Sequence, residues 1–176
     1  LNMDFDELEN SMEGLFRKGH FNGMATVVKR LLDIVGPDNA YFGEKDFQQL
    51  AIVRQMVKKL DLPVNIVACP TIREVDGLAM SSRNVRLSES ERKEALLISK
   101  TLFQAKENAE KGLKASEVKG IAKKNLDESA IMKLDYFEIV NPESLKTVED
   151  NQSAKGNRAC VAVKVGEVRL IDNIGL

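Results

Sequence analysis

Tyr41 to Leu50 reads YFGEKDFQQL: an apolar run stops at Gly43, and Glu44, Lys45, Asp46, Gln48 and Gln49 follow at once. These residue types suit recognition of an anionic ligand. A glycine between a strand and a helix lets backbone approach a ligand, and the first helical turn offers free N–H groups at the positive end of its dipole. In an open α/β sheet such strand-to-helix junctions are where ligands bind. Lys45 would supply a point charge to a phosphate. The same residues admit a plainer account, in which Asp46 and Gln49 have the N-cap and N3 spacing of a capping box and Glu44 and Lys45 are merely solvated.

MSSRN, Met80 to Asn84, is a second group. Ser81, Ser82 and Arg83 put two hydroxyls and a guanidinium in consecutive positions, enough to wrap an anion with donors. The alternative is a polar loop ahead of a helix. In a third group, RKGHFNGM from Arg17 to Met24, His20 lies between two glycines ahead of a helix, where it would donate to a ligand or orient its loop. The first two groups are neither a Walker A loop nor a GxGxxG. Because His20 is the only histidine, a His-rich metal site is excluded, and a divalent cation would arrive with a substrate or be held by carboxylates. Cys69 and Cys160 sit in apolar runs without a CxxC and read as reduced core residues rather than ligands or a disulfide.

The elements that must position these groups follow from periodicity. Met24, Val27, Val28, Leu31, Leu32 and Val35 recur at helical spacing until Gly36-Pro37 ends the pattern. NAYF then reads as a short strand, the stretch from Phe47 through Leu50, Val53, Val57 and Leu60 as a helix, and VNIVAC as a second strand. That alternation is the rhythm of a parallel α/β sheet, with too few strands to complete one. TIREVDGLAM predicts a hairpin about Asp76-Gly77, and SESE at Ser88 to Glu91 fits a capping box opening a helix to about Gly112. A helix from Ser116 to about Ser129 and the strands LDYFEIV, RACVAVKV and EVRLID complete a small antiparallel α+β unit. The expected division is residues 1–72 and 73–176, with the boundary inside 71–87.

The totals fit a water-facing protein with a real core. The chain has 176 residues, 30% of them charged, with a formal net charge of −1. No basic or acidic excess points to nucleic acid or a membrane surface. Apolar runs such as IVAC are too short to span a bilayer, and no signal-peptide pattern opens the sequence.

Taken together and in this order, GHFNGMATVV, FGEKDFQQL and DGLAMSSRN resemble the pantoate-beta-alanine ligase family. The resemblance runs from about Arg17 through the helix after Ser88, and VRLIDN fits that family's last strand. It implies a Rossmann-like nucleotidyltransferase sheet followed by a small α+β lid. It also implies ATP-dependent condensation of pantoate with beta-alanine through a pantoyl adenylate, with release of pyrophosphate and AMP. By resemblance, Gly43 and Asp46 lie along the ATP ribose, and Lys45, Ser81, Ser82 and Arg83 along the phosphates. Gln49 faces pantoate, and Met80 and the backbone near Ile72 flank the nucleotide. Arg17 and His20 match a loop near the active site. Mg²⁺ would share the phosphate charge, the whole enzyme would be a homodimer, and its compartment the cytoplasm. The family's upstream H-x-G-H motif is absent here, so the chain reads as the C-terminal part of the enzyme, without turnover by itself. A non-catalytic nucleotide-binding or assembly module, or a related nucleotidyltransferase acting on another carboxylic acid, are the competing readings.

Overall fold

The computed structural model describes residues 3–5, 8 and 11–176. Its contacts divide at Pro70/Thr71 into two compact units.

The first unit runs α1 (Glu13–Phe16), α2 (His20–Val35), β1 (Asn39–Gly43), a 3₁₀ turn (Glu44–Asp46), α3 (Phe47–Lys59) and β2 (Asn65–Cys69). β1 and β2 pair in parallel from Asn39 opposite Asn65 to Gly43 opposite Cys69, a pairing that needs a crossover helix, here α3. Gly36 terminates α2 in the left-handed conformation, φ 55°, and donates its N–H to the Leu32 carbonyl at 2.8 Å. Pro37 cannot continue the helix.

Two expectations for α2 are corrected. The helix starts at His20 rather than Met24, because Gly19 at φ 72° turns the chain directly into it. Its buried face is also narrower than the periodicity suggests. Phe21 and Ala25, with Met24, Val28 and Leu32 beside them, pack against Ile52, Val53 and Met56 of α3. Val27, Leu31 and Val35 are 61%, 55% and 69% exposed, so they do not belong to this core.

The second unit opens with a tight hairpin. Gly77 N–H donates to Glu74 O at 2.9 Å, Glu74 N–H to Leu78 O at 2.8 Å and Met80 N–H to Ile72 O at 2.9 Å, with Gly77 at φ 94°. A single bridge, Arg73 to Ala79, joins its arms, so the turn forms where DG marks it, without extended strands. α4 (Glu89–Glu110), α5 (Ala115–Asp127), β3 (Met132–Val140), β4 (Arg158–Val165) and β5 (Val168–Gly175) follow. The sheet is antiparallel in the order β3-β4-β5. The predicted capping box opens α4: Ser88 Oγ accepts from Glu91 N–H, and Glu91 Oε2 accepts from Ser88 N–H at 2.8 Å. The core joins Ile98 and Leu102 of α4, and Val118 and Leu126 of α5, to Phe137, Ile139, Val161 and Val163 of the sheet, all essentially sealed from solvent. Among the described residues no helix is long and apolar enough to cross a membrane.

Candidate functional site

The junction after β1 has the form its residues suggest. β1 ends at Gly43, beside Cys69 at the same end of β2, and the chain makes one 3₁₀ turn through Glu44, Lys45 and Asp46 before α3 begins. Gly43 has ordinary extended backbone, φ −70° and ψ 134°. Gly43 is exposed, and among the described residues a Cβ there would meet no atom within 4 Å.

The capping account of this turn is overturned. Asp46 occupies the N-cap position of α3 at φ −95°, ψ 60°, yet its side chain makes no capping bond. The carboxylate stays exposed. The two glutamines behind it diverge, since successive helical positions point about 100° apart. Gln48 is buried and structural: Nε2 donates to the Leu8 and Ser11 carbonyls at 2.6 and 3.0 Å, and Oε1 accepts from Glu13 N–H at 3.0 Å. Gln49 is half-buried, on a different face of the same turn. Sequence alone gave no means of separating the pair.

His20 is the first residue of α2, half-buried, with its ring 5.4 Å from that of Phe21. Burial, and then the Arg17 charge, lower its pKa from 6.5 against the opposing pull of Glu13. Near neutral pH it is therefore an uncharged imidazole, with one donor and one acceptor. Arg17, Lys18, Gly19 and Asn22 line an adjoining cleft of about 270 Å³.

In the second unit the hairpin delivers the hydroxyl–guanidinium loop. Ile72 and Met80, joined by a backbone bond, expose 66% and 50% of their surface, an apolar pair at the hairpin's open end. Ser81 Oγ accepts from Arg83 N–H at 3.2 Å, and Asn84 N–H donates to Ser81 O at 3.0 Å. Ser82 and Arg83 are exposed. The Arg83 guanidinium rests on the Arg169 carbonyl of β5, with Nη1 at 3.0 Å. Asn84 Nδ2 ties the loop back to Ala79 O at 3.1 Å. Arg73 and Asp172, which hold the hairpin from below, escaped the sequence reading. A carboxylate following the apolar pair Leu170-Ile171 inside the strand VRLIDN was the signal available for them. Among the described residues no group of three or more His, Cys, Asp or Glu side chains could hold a metal.

The chain thus has a parallel α/β unit with a polar strand-to-helix junction, followed by an antiparallel α+β unit bearing a serine–arginine loop, a mixed α/β fold in two units. Comparison with known proteins gives the family. The pantoate-beta-alanine ligase model matches residues 1–175, and the chain belongs to that family. Pantothenate synthetase of Bacteroides thetaiotaomicron is 49% identical over 167 residues, 95% of this chain and 59% of that protein. That of Christiangramia forsetii is 48% identical over 99% of this chain and 62% of that protein. The crystal structure of pantothenate synthetase from Thermus thermophilus superposes with TM-score 0.93 at 43% identity, covering 98% of this chain and 62% of that one. Pantoate-beta-alanine ligase from Francisella tularensis, solved in complex with beta-gamma ATP and beta-alanine, gives 0.73 at 35% identity over 98% of this chain and 57% of its own. The chain spans about 60% of the length of the relatives it matches.

Proposed function

We propose that this chain carries part of the active site of an ATP-dependent ligase that joins pantoate to beta-alanine through a pantoyl adenylate, releasing pyrophosphate and then AMP. The observation that carries the reading is the exposed strand end at Gly43, with Lys45 and Asp46 on the turn that follows it and Gln49 in the first turn of α3, in a chain of this family. A relative crystallised with beta-gamma ATP and beta-alanine supports the same choice of substrates.

In this reading Gly43 and Asp46 receive the ribose, Met80 and the backbone near Ile72 flank the nucleotide, and Lys45, Ser81, Ser82 and Arg83 face the phosphates. Gln49 orients pantoate. When the pantoate carboxylate attacks the α-phosphorus, negative charge grows on the phosphoryl oxygens and on the departing pyrophosphate. Cations and hydroxyls already in place stabilise that charge without late reorganisation. The amine of beta-alanine then attacks the acyl carbon and AMP leaves, a step that positioning alone accelerates strongly. No side chain serves as a nucleophile. His20 contributes a neutral donor from the first turn of α2. Mg²⁺ would supply charge neutralisation on the triphosphate. Residues 1–72 would bind nucleotide and pantoate, and residues 73–176 would act as the lid. The enzyme would be a cytoplasmic homodimer.

The test is pantoate-dependent pyrophosphate release by the full-length gene product with ATP, Mg²⁺ and beta-alanine, residues 1–176 by themselves being expected to give no turnover. Release that requires pantoate supports the ligase. Release only with other carboxylic acids points to a related nucleotidyltransferase, and ATP binding without any release points to a binding module.

A further inference from the structure

We propose that Arg73 and Asp172 form a positioning pair that fixes the Ser81–Arg83 loop for contact with phosphate. This rests on the reading above for what the loop binds, and on geometry for how it is held. Arg73 Nη1 donates to Asp172 Oδ2 at 2.7 Å and Nη2 to Asp172 Oδ1 at 3.1 Å, a two-pronged pair that admits one orientation. Nη1 also donates to Gly77 O at 3.0 Å, so the guanidinium braces the turn of its own hairpin, and Nη2 reaches Asn173 O at 3.4 Å. Its carbon lies 5.2 Å from the centre of the Phe103 ring on α4. One side chain therefore ties the hairpin to β5, to α4 and to itself.

The connection from this pair to the loop is short. Arg73 stands opposite Ala79 across the single bridge of the hairpin. Ala79 O accepts from the Asn84 side chain, which closes the loop over Ser81, Ser82 and Arg83. A shift of Arg73 displaces Ala79, and Ala79 displaces Asn84.

Both oxygens of Asp172 are engaged. Its side chain is 2% exposed, and besides both Arg73 bonds its Oδ1 accepts from Asn173 N–H at 2.7 Å. A carboxylate so buried and paired with a guanidinium is held for geometry. Arg83 has its own rest on β5 at Arg169 O, and Arg169 is in turn held by Asp135 Oδ2 at 2.6 Å. The loop is thus set from both ends by polar groups of one strand.

The experiment compares the full-length wild-type gene product with Arg73→Lys, which keeps the charge but loses the fork, and with Asp172→Asn. Two readouts are taken: amide exchange at Met80, Asn84, Val161 and Val163, and KM for ATP and for pantoate. The expected result is exchange about tenfold faster at Met80 and Asn84, unchanged protection at Val161 and Val163, and a KM for ATP raised about tenfold while that for pantoate stays put. Unchanged exchange at Met80 and Asn84, or equal loss at Val161 and Val163, overturns the proposal and leaves the pair a general stabiliser. Should Asp172→Asn fail to fold, Arg73→Lys, whose ammonium still neutralises Asp172, decides by the same measurements. A full-length wild-type gene product with no ATP-saturable activity would sink the functional reading, and the exchange data would still decide the positioning.

Discussion

Gly166, in the turn between β4 and β5, lies directly against the carboxylate of Glu91 in the first turn of α4: a Cβ at Gly166 would overlap that group and come within 2.9 Å of its Cδ. The same carboxylate accepts the Ser88 N–H in the capping box, so one turn of the sheet and one end of a helix share a single space. Gly166 is also at φ 54°, a conformation that costs other residues about 1–2 kcal/mol. Gly166→Ala is expected to destabilise the protein by at least that amount, visible in urea denaturation. Glu91→Ala clears the overlap, so Gly166→Ala made in that background should cost less. Equal effects in both backgrounds would show that the overlap is harmless.

Arg83 is exposed, and its guanidinium rests on the Arg169 carbonyl. Arg83→Ala should therefore leave unfolding free energy within about 0.5 kcal/mol of wild type, while KM for ATP rises steeply. Lys45→Ala is expected to lower kcat by about 10²–10³-fold, the range for loss of one preplaced charge-stabilising group. Parallel losses of stability in either variant would assign them to structure.

His20 gives stability a pH dependence of definite sign. Its folded pKa lies below the ordinary value of 6.5, through burial first and the Arg17 charge second, so the unfolded chain holds more protons between the two values. Stability consequently rises as pH climbs through that interval and is flat above 6.5 on this account. His20→Gln should remove this slope from a series of denaturation curves. Asp76 behaves in the complementary way at lower pH. Its hydrogen bond from Arg92 holds its pKa below 3.8, so its contribution is present above that value and is lost as pH falls through the folded one. An acid limb unchanged in Asp76→Asn would contradict this.

Cys160 is buried on β4, and that burial pushes its thiol up to about 12. Thiolate is the reactive form, so Cys160 should resist iodoacetamide at pH 8 in the native state and label only on unfolding. Cys69 is half-buried at the end of β2 and should label first. Mass spectrometry of the two cysteine peptides checks the order.

Local signals read well from the sequence and long-range choices did not. Ser88 with Glu91, and Gly36 with Pro37, act within a few residues, and both form as their types require. Val27 and Val28 are chemically identical neighbours, and only the position of α3 decides that Val28 packs inward while Val27 faces solvent. Gln48 and Gln49 part in the same manner, one taking the carbonyls of Leu8 and Ser11. Asp46 has the spacing of a cap, but the 3₁₀ turn ahead of it leaves a backbone geometry in which its carboxylate does not reach back. Arg73 and Asp172 lie 99 residues apart, and no local pattern announces such a pair. The resemblance named the strand junction and the serine–arginine loop, but nothing in spacing alone separated them from ordinary polar turns.

The enclosure of the Arg73–Asp172 pair has a consequence in concentrated electrolyte. At 1 M salt the screening length falls to about 3 Å, and solvated pairs such as Lys93–Glu89 and Lys164–Glu167 lose most of their attraction. Ions cannot easily enter between Arg73 and Asp172, whose carboxylate is sealed against β5. Ionic strength therefore acts as a selective dial: it weakens exposed pairs and, in the reading proposed for Arg83, its attraction for a phosphate, while the hairpin held by Arg73 and Asp172 keeps its shape.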